Sequence, residues 1–297
     1  MKKKTAALIN KYKVGVLFFL PFFVLFVLFV VLPIFTAIGT SFTDYDLLSS
    51  PKFVGITNYR LLLFDDDVFV IALKNTLVFA LFSGPIGYLA SFLMAWIINQ
   101  LKFKSAFALA FYAPSITSSV AMSVVWLYIF SPDRYGFAND LLYNLGFIDQ
   151  PILWNMDETT IMPIVILISI WMSMGTGYLV FLAGLQNVSP DIYEAGQIDG
   201  IRNRVQELFY ITLPQMRPQL LFGSINAIAG AFGVFDIAVG FAGMPSPGYA
   251  AHTLVAHLYD YAFVRFEMGY ASAVACVLFV LTFFFGRLCM KMFSSKE

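Results

Sequence analysis

The chain alternates between long apolar runs and short polar stretches. Six runs stand out: 14–40, 70–98, 105–130, 160–185, 219–242 and 268–286. A helix needs roughly 20 residues to cross the hydrocarbon core, and each run reaches about that length. Val14–Thr40, Ser105–Phe130 and Thr160–Leu185 contain no charge. Lys74 sits near one end of its run, where its stem can carry the ammonium to the headgroups. Only Asp236 lies well inside a run. Lipid offers no partner to free backbone groups, so the runs must be helices or strands of a closed barrel. A barrel would show alternating segments of about ten residues, and none is present. The pattern predicts an all-α integral membrane protein with six transmembrane helices.

Composition narrows this further. Of 297 residues, 60% are apolar and 12% charged, against about 45–50% and about 25% in soluble domains. An ordinary soluble enzyme and a disordered chain are both excluded. Lys+Arg and Asp+Glu number 18 each, so no excess charge points to nucleic acid. The basic start Met1–Lys4 precedes an apolar run too long for the h-region of a signal peptide, and it reads as an uncleaved first helix. The distribution of cations orients the chain. With a cytoplasmic N-terminus, the inner segments hold Lys2, Lys3, Lys4, Lys11, Lys13, Lys102, Lys104, Arg202, Arg204, Arg217, Arg287, Lys291 and Lys296. The outer segments hold only Lys52, Arg60, Lys74, Arg134 and Arg265. Both termini are therefore expected in the cytoplasm.

The connections are unequal. Segments 41–69 and 131–159 are outside, the 99–104 loop is short and inside, and the 186–218 loop is long and inside. A loop of that length usually has a fold or a task of its own. Ser189 can cap a helix, Pro190 suits its first turn and Asp191 suits the positive end of its dipole. Ile192, Ala195 and Ile198 fall at helical spacing, and Gly200 is a natural stop. Arg202–Thr212 predicts a second helix with Val205, Leu208, Phe209 and Thr212 on one face, punctuated by Pro214 and Pro218. Two readings fit: an amphipathic connector resting on the headgroups, or a docking knob for a cytoplasmic partner.

Glu194-Ala195-Gly196-x3-Gly200, followed by Ile211-Thr212-Leu213-Pro214, resembles the EAA signature of permease subunits of binding-protein-dependent ABC importers. Two departures are visible. The third motif position is Gly196 rather than Ala, and ten residues instead of nine separate Gly200 from Ile211. Further stretches are similar to carbohydrate permeases of the maltose-permease type: Asn75-Thr76-Leu77, Phe111-Tyr112-Ala113-Pro114, Thr253-Leu254-Val255, Tyr259, Ala262-Phe263 and Gly269-Tyr270; where that family often has a Gly-Gly-Gly-Pro tract, this chain has Ala242-Gly243-Met244-Pro245. The likeness covers about residues 10–293.

The resemblance implies an ABC type I importer permease fold in a bacterial cell membrane. Residues 1–69 would form the N-terminal tail, first helix and extracellular segment. Residues 70–293 would form a five-helix permease core, with 186–218 as its cytoplasmic coupling loop. The implied partners are a cytoplasmic ABC ATPase dimer, a second permease (usually a paralogue in carbohydrate systems), an extracellular solute-binding protein and a sugar, with an oligosaccharide favoured. Tyr193, Glu194, Ala195, Gly196, Asp199 and Gly200 would couple to the ATPase. Tyr112, Ser115, Ser169, Ser173, Asn226 and Gly230 would line the substrate pathway, with Tyr112, Trp171, Tyr178 and Phe235 as candidate aromatic faces. For any single one of these residues, helix packing is the competing reading.

The chain is not expected to be an enzyme or to hold a cofactor. None of its glycines precedes a lysine, so no phosphate-binding P-loop exists, and ATP would be bound by partner subunits. Cys276 and Cys289 read as free thiols. His252 and His257 lack a local third ligand for zinc. Asp236 is expected to meet a structural partner such as Arg265 or a backbone cap. One alternative is an ion-coupled secondary carrier, which would want paired ionisable residues in the spans. Another is a permease of the same family for glycerol phosphate, but no Arg or Lys lies deep in the spans to meet a phosphate.

Overall fold

The computed structural model describes residues 2–293; Met1 and residues 294–297, Lys296 among them, lie outside it. Helix α1 (Lys2–Phe26) passes through a π-helical turn at Val27–Val31 into α2 (Leu32–Thr40). A short antiparallel hairpin of β1 (Thr43–Asp44) and β2 (Lys52–Phe53) precedes α3 (Thr57–Phe64). Then come α4 (Asp67–Asn99), α5 (Lys104–Ile116), α6 (Ser119–Ile129), α7 (Phe137–Asn144) and α8 (Glu158–Gln186). Next are α9 (Pro190–Ile198), α10 (Arg204–Glu207), a π turn at Leu208–Thr212, and α11 (Leu213–Gln215). The chain continues with α12 (Arg217–Phe232), α13 (Asp236–Ala242), α14 (Leu254–Tyr259) and α15 (Met268–Phe293).

Five stretches among the described residues are long and apolar enough to cross a membrane: Gly15–Thr40, Asp67–Asn99, Glu158–Gln186, Arg217–Ala242 and Met268–Met292. The run at 105–130 differs from the single span expected there, being split into α5 and α6. The break falls in the hydroxyl-rich stretch from Ser115 to Ser119. Ser115 Oγ donates to the Tyr112 carbonyl at 2.8 Å, and Thr117 Oγ1 donates to the Ala113 carbonyl at 3.2 Å. Such side chains compete for helix carbonyls and weaken the ladder. Ser118 then takes an extended conformation and starts α6.

The chain forms two compact units. One comprises the chain through Asp65 together with Leu258–Val277. Its hairpin is stitched by Asn58, whose Nδ2 donates to the carbonyls of Ser41 and Thr43, both at 2.9 Å. Tyr59 donates to Ser41 Oγ at 2.8 Å, and Thr40 Oγ1 donates to Ser272 Oγ at 2.8 Å.

The other unit comprises Asp66–His257 and Leu278 onward. Caps set its two long helices. Asp66 accepts from the Phe69 N–H at 2.9 Å, and Asp157 accepts from the Thr159 N–H at 2.8 Å and hydroxyl at 2.6 Å. Those two bonds, the hydroxyl first, hold the Asp157 carboxyl below its ordinary range. Helices α4 and α8 approach closely through small residues. Ser91 Oγ donates across to the Ser173 carbonyl at 3.0 Å, and a Cβ on Gly177 would stand 2.8 Å from that Oγ. One apolar cluster gathers Phe79, Ile161, Val165, Ile168, Ile237 and Phe241. A second gathers Phe92, Tyr178, Phe181, Leu208, Met216 and Leu220. Asn139, 1% exposed, is a polar hub: Nδ2 donates to the carbonyls of Ser131, Asp133 and Ile152, and Oδ1 accepts from Ile152 N–H and Trp154 Nε1.

Candidate functional site

Two features of the second unit carry chemistry. The first is a cavity of about 700 Å³ bordered by α4, α8, α12 and the start of α13. Ligand cavities run about 300–1,000 Å³. Ser83, Gly84, Gly87, Tyr88 and Ser91 line it from α4, at a spacing that puts them on one helix face. Ser169, Ser173 and Gly177 line it from α8, and Gly223, Asn226 and Gly230 from α12. Phe79, Phe181 and Phe235 add aromatic surface, and Asp236 adds one carboxylate.

Four of the six sequence-predicted pathway residues therefore come together here: Ser169, Ser173, Asn226 and Gly230. Tyr112 and Ser115 are not in the lining. Ser115 instead lies against α8, where a Cβ on Gly175 would meet its Cβ at 2.5 Å. Of the four candidate aromatic faces only Phe235 lines the cavity. Trp171 packs edge-on against Trp126, and Tyr178 is fully buried in the second apolar cluster.

The hydroxyls divide into spent and available groups. Ser173 Oγ donates to Ile170 O at 2.7 Å, and Ser91 Oγ bonds to Gly87 O at 2.7 Å as well as across to α8. Ser83 and Ser169 have buried Oγ atoms with no partner among the described residues, and both belong to the lining. A buried hydroxyl without a partner carries a desolvation cost that a hydrogen-bonding ligand would remove.

Asp236 departs from expectation. Arg265 pairs with Asp260 at 2.8 Å. Asp236 begins α13, is exposed, and lines the cavity instead of meeting a structural cation. Asp236 was expected in a structural role and not here, and Ser83, Tyr88, Ser91 and Ser119 were not among the six pathway candidates. The one available signal was the stripe of small and hydroxyl residues at 83, 84, 87 and 91.

The second feature is the segment 187–216. Ser189 caps α9 by accepting from Asp191 N–H at 3.3 Å, and Pro190 opens the helix. The C-terminus closes in a paired motif: Gly200 N–H donates to Gln197 O at 3.3 Å, and Ile201 N–H to Gly196 O at 2.9 Å. Gly200 has φ +96°, a left-handed conformation that glycine adopts without steric cost. Asn203 caps the next helix by accepting from Gln206 N–H at 2.8 Å, and Gln206 Oε1 accepts from Arg202 N–H at 2.9 Å.

On α9 the residues read at helical spacing, Ile192, Ala195 and Ile198, are all exposed, Ile198 at 87%. Gly196 faces inward: a Cβ there would stand 2.5 Å from Ile211 Cδ1 and 3.2 Å from Ile201 Cδ1. The predicted face of the second helix is split. Leu208 and Thr212 are buried, whereas Val205 and Phe209 are exposed. The cause is the π turn at Leu208–Thr212, which shifts the 3.6-residue period. Glu194, Ala195 and Asp199 are exposed, and the Glu194 and Asp199 carboxylates make no hydrogen bond or ion pair among the described residues. Tyr193 is partly buried, its hydroxyl 3.0 Å from Thr212 Oγ1.

His252 and His257 are both buried: His257 Nε2 lies 3.3 Å from Asp66 Oδ2, and His252 Nε2 lies 3.4 Å from His257 Nδ1. No cluster among the described residues could hold a metal ion.

Comparison with known proteins gives these features a context. The family described as "Binding-protein-dependent transport system inner membrane component" matches residues 87–291. A probable ABC transporter permease protein, YesP of Bacillus subtilis (strain 168), is 36% identical over 285 residues, covering 94% of this chain and 90% of its own. The arabinooligosaccharides transport system permease protein AraP of the same organism is 33% identical over 281 residues, covering 94% and 88%. In fold, the chain is similar to one from a crystal structure of a bacterial ABC transporter that imports the acidic polysaccharide alginate, with TM-score 0.81, 22% identity and 98% coverage of both chains.

Proposed function

The chain belongs to the family of binding-protein-dependent transport system inner membrane components, and on that premise we propose that it is the permease subunit of an ATP-driven oligosaccharide importer. It crosses the membrane six times, with α5 and α6 together making one crossing and both termini in the cytoplasm. Residues 1–69 stand outside the permease core of 70–293, and the 186–218 loop is the core's cytoplasmic coupling element. A cytoplasmic ATPase dimer binds that loop, a paralogous second permease completes the pathway, and an extracellular solute-binding protein delivers the sugar.

The observation that carries the coupling role is the exposed, unpartnered carboxylate of Glu194 on a helix capped at both ends. The exposed Ile192 and Ile198 beside it would find apolar cover in a groove on the ATPase. Closure of the ATPase dimer on ATP would move the groove, and α9 with it. The permease would then pass between inward- and outward-facing states by differential binding.

Ser83, Ser169 and Asn226 offer neutral hydrogen-bonding groups beside Phe235 and Tyr88, the combination a neutral sugar requires. Among the described residues no Lys or Arg lines the cavity, and the one charge there is the carboxylate of Asp236. This supports a neutral oligosaccharide over glycerol phosphate or another anion. An ion-coupled carrier would transport with this chain alone and a gradient. The importer reading predicts no uptake by proteoliposomes that lack the ATPase subunits. Glu194→Lys should abolish ATPase co-purification while leaving membrane insertion intact, and full transport by that variant would remove the coupling assignment.

A further inference from the structure

Leu208–Thr212 forms a π turn, closed by Leu213 N–H donating to Leu208 O five residues back. Such a turn holds one residue more than an α turn. In a continuous α-helix each residue adds about 100° of rotation, so an α turn over the same residues would swing Ile211 and Thr212 out of line with α9. The π turn keeps them in line.

What it preserves is the attachment of α9. This helix has nine residues, too few to be stable alone, and its isoleucines point to solvent. Its inward contacts at Tyr193 and Gly196 reach the π turn, Gly196 by packing on Ile211. The Tyr193 hydroxyl lies 3.0 Å from Thr212 Oγ1, which is 2% exposed. Thr212 Oγ1 also donates to Glu207 O at 3.2 Å, and either hydroxyl can be the donor in the bond between Tyr193 and Thr212. We propose that Tyr193 is a positioning residue: by bonding Thr212 in the π turn, it fixes the angle at which α9 presents Glu194. The inference rests on the coupling reading above, with Tyr193 acting inside the permease and not on the ATPase.

The test uses the full importer (both permeases, ATPase dimer and receptor) in nanodiscs. Gly230→Cys, in a Cys276→Ser, Cys289→Ser background, reports access to the cavity through its labelling rate with a membrane-impermeant maleimide, with and without ATP and vanadate. Tyr193→Phe and Thr212→Val should each keep ATPase co-purification and ATP hydrolysis. Each should lower the ATP-driven change in labelling about fivefold, the worth of one typical hydrogen bond. The double variant should fall no further, because the two hydroxyls act as a pair.

A full ATP response by Tyr193→Phe, or a double variant that falls by the product of the singles, overturns the positioning role. If the parent protein neither holds the ATPase nor responds to ATP, the coupling reading itself is wrong and the proposal falls with it.

Discussion

Gly196 stands where the family motif has alanine, and the packing makes a quantitative statement about why. Alanine is favoured over glycine in a helix by about 1 kcal/mol, so Gly196→Ala would be stabilising if nothing opposed it. The added Cβ, however, would sit 2.5 Å from Ile211 Cδ1, about 1 Å inside ordinary carbon–carbon contact. Overpacking of this kind costs about 1–3 kcal/mol. The single variant should therefore lie about 0–2 kcal/mol below the parent. Ile211→Val removes the offending methyl and by itself costs about 0.5–1.5 kcal/mol. In the double variant the clash is gone. The next neighbours of the new Cβ are Ile201 Cδ1 at 3.2 Å and Ile211 Cγ1 at 3.7 Å. The helix gain then offsets the lost methyl, and the double should return to within about 0.5 kcal/mol of the parent, a coupling of about 1–3 kcal/mol, as expected for touching residues. Hydrogen exchange at the Gly200 and Ile201 amides, which close the end of α9, reads this locally. The single variants should exchange faster and the double at close to the parent rate. Additive effects would show that Ile211 is not what excludes alanine.

Two further outcomes follow from the same geometry. A Cβ on Gly230 meets nothing within 4 Å, so Gly230→Trp should fill cavity space without disturbing the fold. Uptake by the reconstituted importer should fall at least tenfold while co-purification with the ATPase is unchanged; normal uptake would place the pathway elsewhere. Asn139→Ala should cost about 1–3 kcal/mol, because it strands the partly buried donors of Ile152 and Trp154. Limited proteolysis within 131–157 should accelerate accordingly, and an unchanged rate would mean that the hub is dispensable.

Local chemistry was legible in the chain itself. Unbroken apolar runs marked the spans because lipid forbids unpaired backbone, whatever the tertiary arrangement. Ser189, Pro190 and Gly200 marked the ends of α9 because capping depends on neighbouring residues alone. Hydropathy measures length and not continuity, so the break at Ser118 was hidden inside an apolar run. The π turn was equally hidden, since a face drawn at 3.6 residues presumes that no turn holds a fifth residue. Which small and hydroxyl residues face a void was beyond the sequence for a different reason. Ser83, Ser169 and Ser115 are alike in local context, and only the approach of α4, α8 and α12 sends the first two to the cavity and the third against Gly175. A helix period fixes which residues share a side; what stands opposite that side is set by contacts between residues far apart in the chain.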